Sequence, residues 1–165
     1  MTSGVRLHVT ASGNEVMRHI ADLFAEGLTV LGARASVVVD GDLPASPTGE
    51  HHVVVAPHEY FPLHFLRHRP TIDLPQALAH CAVVAVEQPG SEWFEVAWTF
   101  ARQAQRVFDI SPAGVAEFAR RGVDAVHTPL GFAPSLEVAW TAPAARALDV
   151  VMLGHQSPRR LAFIA

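Results

Sequence analysis

The chain has 165 residues, half of them hydrophobic and 17% charged, with a formal charge of −4; this suits one domain with an ordinary core and a piece of a second, and excludes a disordered chain. All twelve basic residues are arginine, and the acidic balance argues against a nucleic-acid-binding surface. The single cysteine, Cys81, excludes an internal disulfide. At the head of an apolar run it is expected to be a small buried hydrophobe rather than a nucleophile.

Residues 5–11 (VRLHVTA) alternate Val, Leu and Val with Arg6, His8 and Thr10, the period-two pattern of a strand. Ser12-Gly13-Asn14 follows, with Ser12 or Asn14 placed to cap a helix. Met17, Ile20, Ala21, Phe24, Leu28 and Leu31 recur at helical spacing, which predicts a helix over 14–31 stopped by Gly32. Residues 35–40 (ASVVVD) read as a second strand. Residues 41–50, rich in Pro, Gly, Ser and Asp, read as an exposed loop. A third strand over 51–57 (HHVVVAP) runs into His58-Glu59-Tyr60-Phe61. A short helix is expected only after Pro62, and another over 75–80 with Asp73 near its start.

Residues 81–87 (CAVVAVE) are nearly all apolar, as a strand covered on both faces must be. Ser91 caps a predicted amphipathic helix with the stripe Trp93, Val96, Ala97, Phe100 and Ala104, and Glu92 and Glu95 suit its first turn. Trp93 and Trp98 are therefore expected in the core or against other helices. Residues 106–110 (RVFDI) form a fifth strand. Ser111 caps a further helix, with Pro112 at its first position and Gly122 at its end. Residues 124–132 (DAVHTPLGF) hold a sixth strand and its exit loop. Residues 137–148 read as a connector, 149–154 as a seventh strand, and 155–165 as a loop opening a helix. That last strand and helix read as the start of a second domain.

Strand, loop, helix, strand is the grammar of an α/β protein, here a Rossmann-like open parallel sheet with helices on both faces. Ligands in such sheets bind beyond the carboxyl ends of the strands. His58 and Glu59 follow the third strand on that edge and Glu87 ends the fourth. Each could accept a proton from a hydroxyl. Gln88, Ser111, Thr128 and Gly131 fall on the same edge as candidate substrate contacts, although Ser111 is most simply a helix cap and Thr128 and Gly131 also shape a turn. Ser12, Gly13 and Asn14 let a substrate approach the backbone, but lack the GxGxxG pattern of a dinucleotide loop. His51 and His52 start a strand at the opposite edge. His64 and His68 have i,i+4 spacing, yet without a motif such as HExxH no metal site is expected. No apolar run approaches the roughly 18 residues of a membrane span, and no N-terminal stretch has the regions of a signal peptide, so a cytoplasmic location is expected.

The ordered series EQPGSEWF, RVFDISPAGVAEFARRGVDAVHTPLGFAP and ALDVVMLGHQSPRR resembles the central part of a bacterial glycosyltransferase family of GT-B architecture. The likeness covers about half the chain, from Cys81 onward. In that family an apolar strand ends in Glu-Gln, a later one in aromatic-Asp-aromatic-Ser, a Pro-Leu-Gly-aromatic turn precedes the linker, and Asp-Val-x-x-x-Gly with a later Pro-Arg-Arg opens the second domain. Ile110 stands here where an aromatic is usual. The resemblance implies that residues 1–140 form the N-terminal, acceptor-side domain, 141–148 a linker, and 149–165 the start of a truncated donor-binding domain. It implies transfer of a sugar from a nucleotide-activated donor to an acceptor small molecule or glycan, the nucleotide sugar being a co-substrate and no other cofactor needed. It also implies donor-phosphate contacts at Gly154, His155, Ser157, Arg159 and Arg160, where two Arg beside a helix start suit a diphosphate. Two other readings stay open. One is a non-catalytic, carbohydrate-binding half-domain acting with a partner chain that supplies the missing half. The other is an unrelated Rossmann-like enzyme, such as a nucleotide-binding hydrolase.

Overall fold

Six strands form one all-parallel sheet: β1 (Gly4–Val9), β2 (Arg34–Val39), β3 (Glu50–Val55), β4 (Cys81–Ala85), β5 (Arg106–Asp109) and β6 (Ala125–His127). Their order is β2-β1-β3-β4-β5-β6. The computed structural model describes residues 4–68 and 73–136, with side chains over 4–64 and 73–135. The five helices are α1 (Glu15–Val30), α2 (Pro57–His68), α3 (Leu74–Leu78), α4 (Glu92–Ala101) and α5 (Pro112–Arg120), followed by a 3-10 turn over Pro134–Leu136. This is the Rossmann-like α/β sheet that the sequence predicts. The expected linker over 141–148 and the seventh strand and helix opening over 149–165 lie outside the described residues. No described helix is long and apolar enough to cross a membrane.

The helices divide between two faces. Ile20 and Ala21 of α1 pack with Leu7, Val9, Val55 and Val84. Tyr60, Phe61, Ala77, Leu78, Phe94, Ala101 and Phe118, from α2 to α5, pack with Val54, Val83, Ala85 and Val107 on the other face. Successive strand residues point to opposite faces, which is why Val54 and Val55 join different clusters. Phe94 and Phe118 are fully buried with ring centroids 5.0 Å apart. Burying each such ring stabilises the fold by about 1.5–3 kcal/mol.

Local chemistry sets most boundaries. Asn14 accepts the Val16 N–H, Asp73 the Gln76 N–H and Ser91 the Phe94 N–H, each capping a helix start. Gly32, with φ 84°, ends α1, and the Ala33 N–H returns to the Leu28 carbonyl at 2.9 Å. Cys81 is buried and its thiol is pushed up to about 12 by that burial, the state of an inert apolar residue.

Three expectations need correction. β3 stops at Val55, and α2 begins at Pro57 instead of after Pro62. Proline at the first helical position loses no bond, so Pro57 starts the helix, and His58 through Phe61 are helical. Pro62 lies inside α2. Trp93 is not in the core: it is 52% exposed on the first turn of α4. His8, a polar residue of the alternating first strand, is 2% exposed. Its strand lies between β2 and β3, and the loop that starts at Gly41 closes over its polar face. The hydroxyl of Ser111, at the N-cap position of α5, makes no capping bond. Asp109 Oδ1 instead accepts the N–H of Ser111 itself at 2.7 Å, which holds the turn into the helix.

Candidate functional site

The strand order reverses between β1 and β3, with α1 leaving for one face and α2 for the other. Open α/β sheets bind ligands at such a reversal, beyond the strand ends. The loop after β1, the start of α2 and the exit of β4 meet here.

β3 enters α2 through Ala56, whose φ of 56° lies in the left-handed region. A residue with a Cβ adopts that conformation at a cost of about 1–2 kcal/mol, and such strain concentrates at functional positions. The elbow is held on both sides. The Ala56 N–H donates to the Val84 carbonyl at 3.0 Å, and the Ala56 carbonyl accepts the Glu59 and Tyr60 N–H groups at 2.9 and 3.0 Å. Its effect is to set His58 and Glu59 in the first turn of α2, facing the exit of β4.

His58 is 3% exposed, and its Nε2 lies 3.2 Å from Glu87 Oε1 and 3.9 Å from Glu59 Oε1. Burial pulls the imidazole down to about 4, so it is neutral at pH 7. Ionised carboxylates only accept, so the single ring proton belongs on Nε2, towards Glu87. That leaves Nδ1 as a buried lone pair with no hydrogen-bond partner among the described residues. Burial raises the carboxyl of Glu87, and the neighbouring Glu59 carboxylate raises it further. Burial also raises Glu59, partly offset by the Asn14 N–H, which donates to Glu59 Oε2 at 2.8 Å. Both carboxylates reach solvent, at 20% and 24% exposure, whereas His58 does not.

Gly13 makes the closure possible. A Cβ there would stand 2.1 Å from Glu59 Oε2, so only glycine lets the β1 loop lie against that carboxylate. Ser12 is exposed beside it, and its N–H donates to Thr10 Oγ1 at 3.2 Å. On the other side, Gln88 is exposed, and its carbonyl accepts both the Ser91 N–H and the Ser91 hydroxyl, at 3.2 and 2.9 Å. This turn joins Glu87 to α4. It brings Trp93 beside His58, with ring centroids 6.2 Å apart.

The other predicted contacts are not drawn into the cluster by any contact described. Asp109 is fully buried and pushed up to about 6 by burial. Its carboxylate fits over α5 only because residue 114 is glycine, where a Cβ would stand 2.1 Å from Oδ2. The Thr128 N–H donates to the Asp109 carbonyl at 2.8 Å. Thr128 and Gly131 line a cavity of about 300 Å³ against α1, with Leu28 and Phe132. Gly154, His155, Ser157, Arg159 and Arg160 lie outside the described residues. His64 is tied to Asp42, with Nε2 and Oδ1 2.8 Å apart, and the side chain of His68 lies outside the described residues. Among the described residues no three His, Cys, Asp or Glu side chains are grouped to hold a metal ion.

A cavity of about 360 Å³ lies at the opposite edge of the sheet, between the loop over 44–50 and the starts of β3 and β4, with His51, His52 and His80 on its wall. A further cavity of about 350 Å³, lined among others by Leu7, Phe24, Leu28 and Val53, is nearly as large, so volume alone selects neither. The strained elbow and the two solvent-reaching carboxylates with raised pKa favour the switch point, and perturbed groups of this kind mark functional sites. His58, Glu59 and Glu87 were legible from the ends of strands. Ala56 and Trp93 were missed as site residues: an alanine gives no signal of a positive φ, and Trp93 falls on the apolar stripe of its helix. No protein family, no curated protein and no solved structure matches the chain.

Proposed function

We propose that this chain carries the acceptor side of a GT-B glycosyltransferase, and that Glu87 accepts the proton of the acceptor hydroxyl. The observation that carries the reading is the Glu87–His58–Glu59 cluster, closed by Gly13 and Asn14, at the reversal of strand order. The ordered motifs from Glu87 to Arg160 give the reaction class. A carboxyl raised towards neutrality is a better base at pH 7 than an ordinary one. The acceptor O–H proton passes to a Glu87 oxygen while the hydroxyl oxygen bonds to the anomeric carbon of the donor sugar. The bond from that carbon to the diphosphate oxygen breaks, and its electron pair leaves with the nucleoside diphosphate. Glu59 accepts a second hydroxyl and fixes the acceptor ring. His58, buried behind both, is a positioning residue: its Nε2–H holds the Glu87 carboxylate. The donor diphosphate belongs to the segment that holds Arg159 and Arg160.

The test is nucleoside diphosphate release by the full-length protein from a panel of nucleotide sugars with mixed sugar acceptors. Glu87→Gln keeps the shape and removes the base. Turnover is expected to fall about 10²–10⁴-fold with circular dichroism unchanged. Turnover equal to that of the parent removes Glu87 from the chemistry.

A further inference from the structure

The indole of Trp93 has no role in the fold that its position explains. It is 52% exposed on the first turn of α4, a helix that buries Phe94, Ala97 and Ala101, and it stands six residues after the candidate base Glu87. An exposed tryptophan leaves a large apolar face in water. The ring of this one lies 6.2 Å, centroid to centroid, from the buried His58 ring, whose Nε2 is 3.2 Å from Glu87 and 3.9 Å from Glu59.

The surroundings select a ligand class. Two carboxylates stand here, with Glu87 3.2 Å and Glu59 3.9 Å from His58 Nε2, and both oppose an anionic ligand. The two acidic groups are acceptors for donor hydroxyls. The indole face carries negative quadrupole density, which attracts weakly positive C–H edges. A saturated ring with several hydroxyls on its rim and C–H bonds on one face satisfies both partners at once.

We propose that Trp93 is the aromatic wall of the acceptor site, stacking on the C–H face of a sugar ring whose hydroxyls are taken by Glu59 and Glu87. This rests on the reading of the site given above and names its substrate class and a specificity residue. Sugars that differ in which face carries only C–H bonds would be discriminated here.

Three tryptophans, Trp93, Trp98 and Trp140, are present in the chain. Protein labelled with 5-fluorotryptophan separates them by ¹⁹F resonance, with Trp93→Phe assigning its line. The probes are methyl α-D-glucopyranoside, methyl α-D-mannopyranoside and methyl N-acetyl-β-D-glucosaminide. At least one is expected to shift the Trp93 line saturably. Trp93→Ala is expected to weaken its binding about three- to tenfold, and Trp93→Phe by less, because stacking is worth about that much. Half exposure makes both variants safe for folding, which circular dichroism checks. A sugar that Glu87→Gln binds more weakly but Trp93→Ala binds as the parent does overturns the aromatic wall and leaves the acceptor site standing. Absence of binding by all three glycosides overturns both.

Discussion

Acid should destabilise this protein through His8. The ring is buried, with Nδ1 3.3 Å from the Gly41 carbonyl and Nε2 3.0 Å from His52 Nδ1. His52 Nε2 in turn lies 3.0 Å from the Thr48 hydroxyl. A carbonyl only accepts, so the His8 proton is on Nδ1 and Nε2 is a lone pair. His52 must then donate from Nδ1, and its Nε2 accepts from Thr48. A second proton on His8 would face the His52 N–H at 3.0 Å. Burial pulls His8 from 6.5 down to about 4, the Gly41 carbonyl opposing and His52, Arg6 and His64 adding to the fall. Glu50, paired with Arg6 at 3.0 Å, and Tyr60, whose hydroxyl donates to the Gly41 carbonyl at 2.5 Å, are the other ionisable groups facing this network.

The sign follows from proton counts. Between pH 6.5 and 4 the unfolded chain binds a proton at His8 that the folded chain refuses, so stability is full above about 6.5 and declines as pH falls towards 4. The span of about 2.5 pKa units amounts to roughly 3 kcal/mol, a large part of the 5–15 kcal/mol typical of a domain. Urea unfolding at a series of pH values measures it. His8→Gln keeps a donor and an acceptor but does not titrate. It is expected to be less stable than the parent at pH 7 and to show a pH dependence flatter by about that amount. An NMR titration of the His8 ring in folded protein is expected to give a midpoint near 4. A midpoint near 6.5, or an equal pH slope in the variant, refutes the argument.

Two glycines give sharper tests. Gly114→Ala would gain up to about 1 kcal/mol of helix propensity. Its Cβ would stand 2.1–2.5 Å from all three carboxylate atoms of the fully buried Asp109, and such overpacking costs about 1–3 kcal/mol. A net loss in thermal unfolding is therefore expected, and a rise in Tm contradicts the packing described. Gly13→Ala meets the carboxylate of the partly exposed Glu59, which can swing away, and comes within 3.2 Å of Thr10 Cγ2. Stability is expected to change by under about 1 kcal/mol, while Glu59 leaves the Asn14 N–H and sugar binding weakens. Unchanged binding would mean that the Glu59–Asn14 contact does not shape the site.

The sheet was legible because each strand carries its own periodicity or apolar run and each helix its own cap: Asn14, Asp73 and Ser91 do what their positions predict. The reversal that creates the site is a property of strand order, which no local pattern encodes. His58, Glu59 and Glu87 could be placed at strand ends, but their meeting depends on Ala56 taking a left-handed conformation, and alanine carries no mark of that. Ser111 takes the N-cap position without a hydroxyl bond, and Asp109, two residues earlier, holds its N–H instead, in a place that depends on Gly114 on the next helical turn. The burial of His8 was not legible, because alternation reports which face a side chain points to, and not whether that face is covered.

The central claim is that ligand binds where β1, α2 and β4 meet. Backbone and imidazole NMR of the chain during titration with methyl glycosides tests it most directly. The account predicts saturable shifts at Gly13, at Asn14, whose N–H is held by Glu59, and at the His58 ring. Shifts confined to Thr48, His51, His80 and Gln105 would place the ligand in the cavity at the opposite edge of the sheet and contradict it.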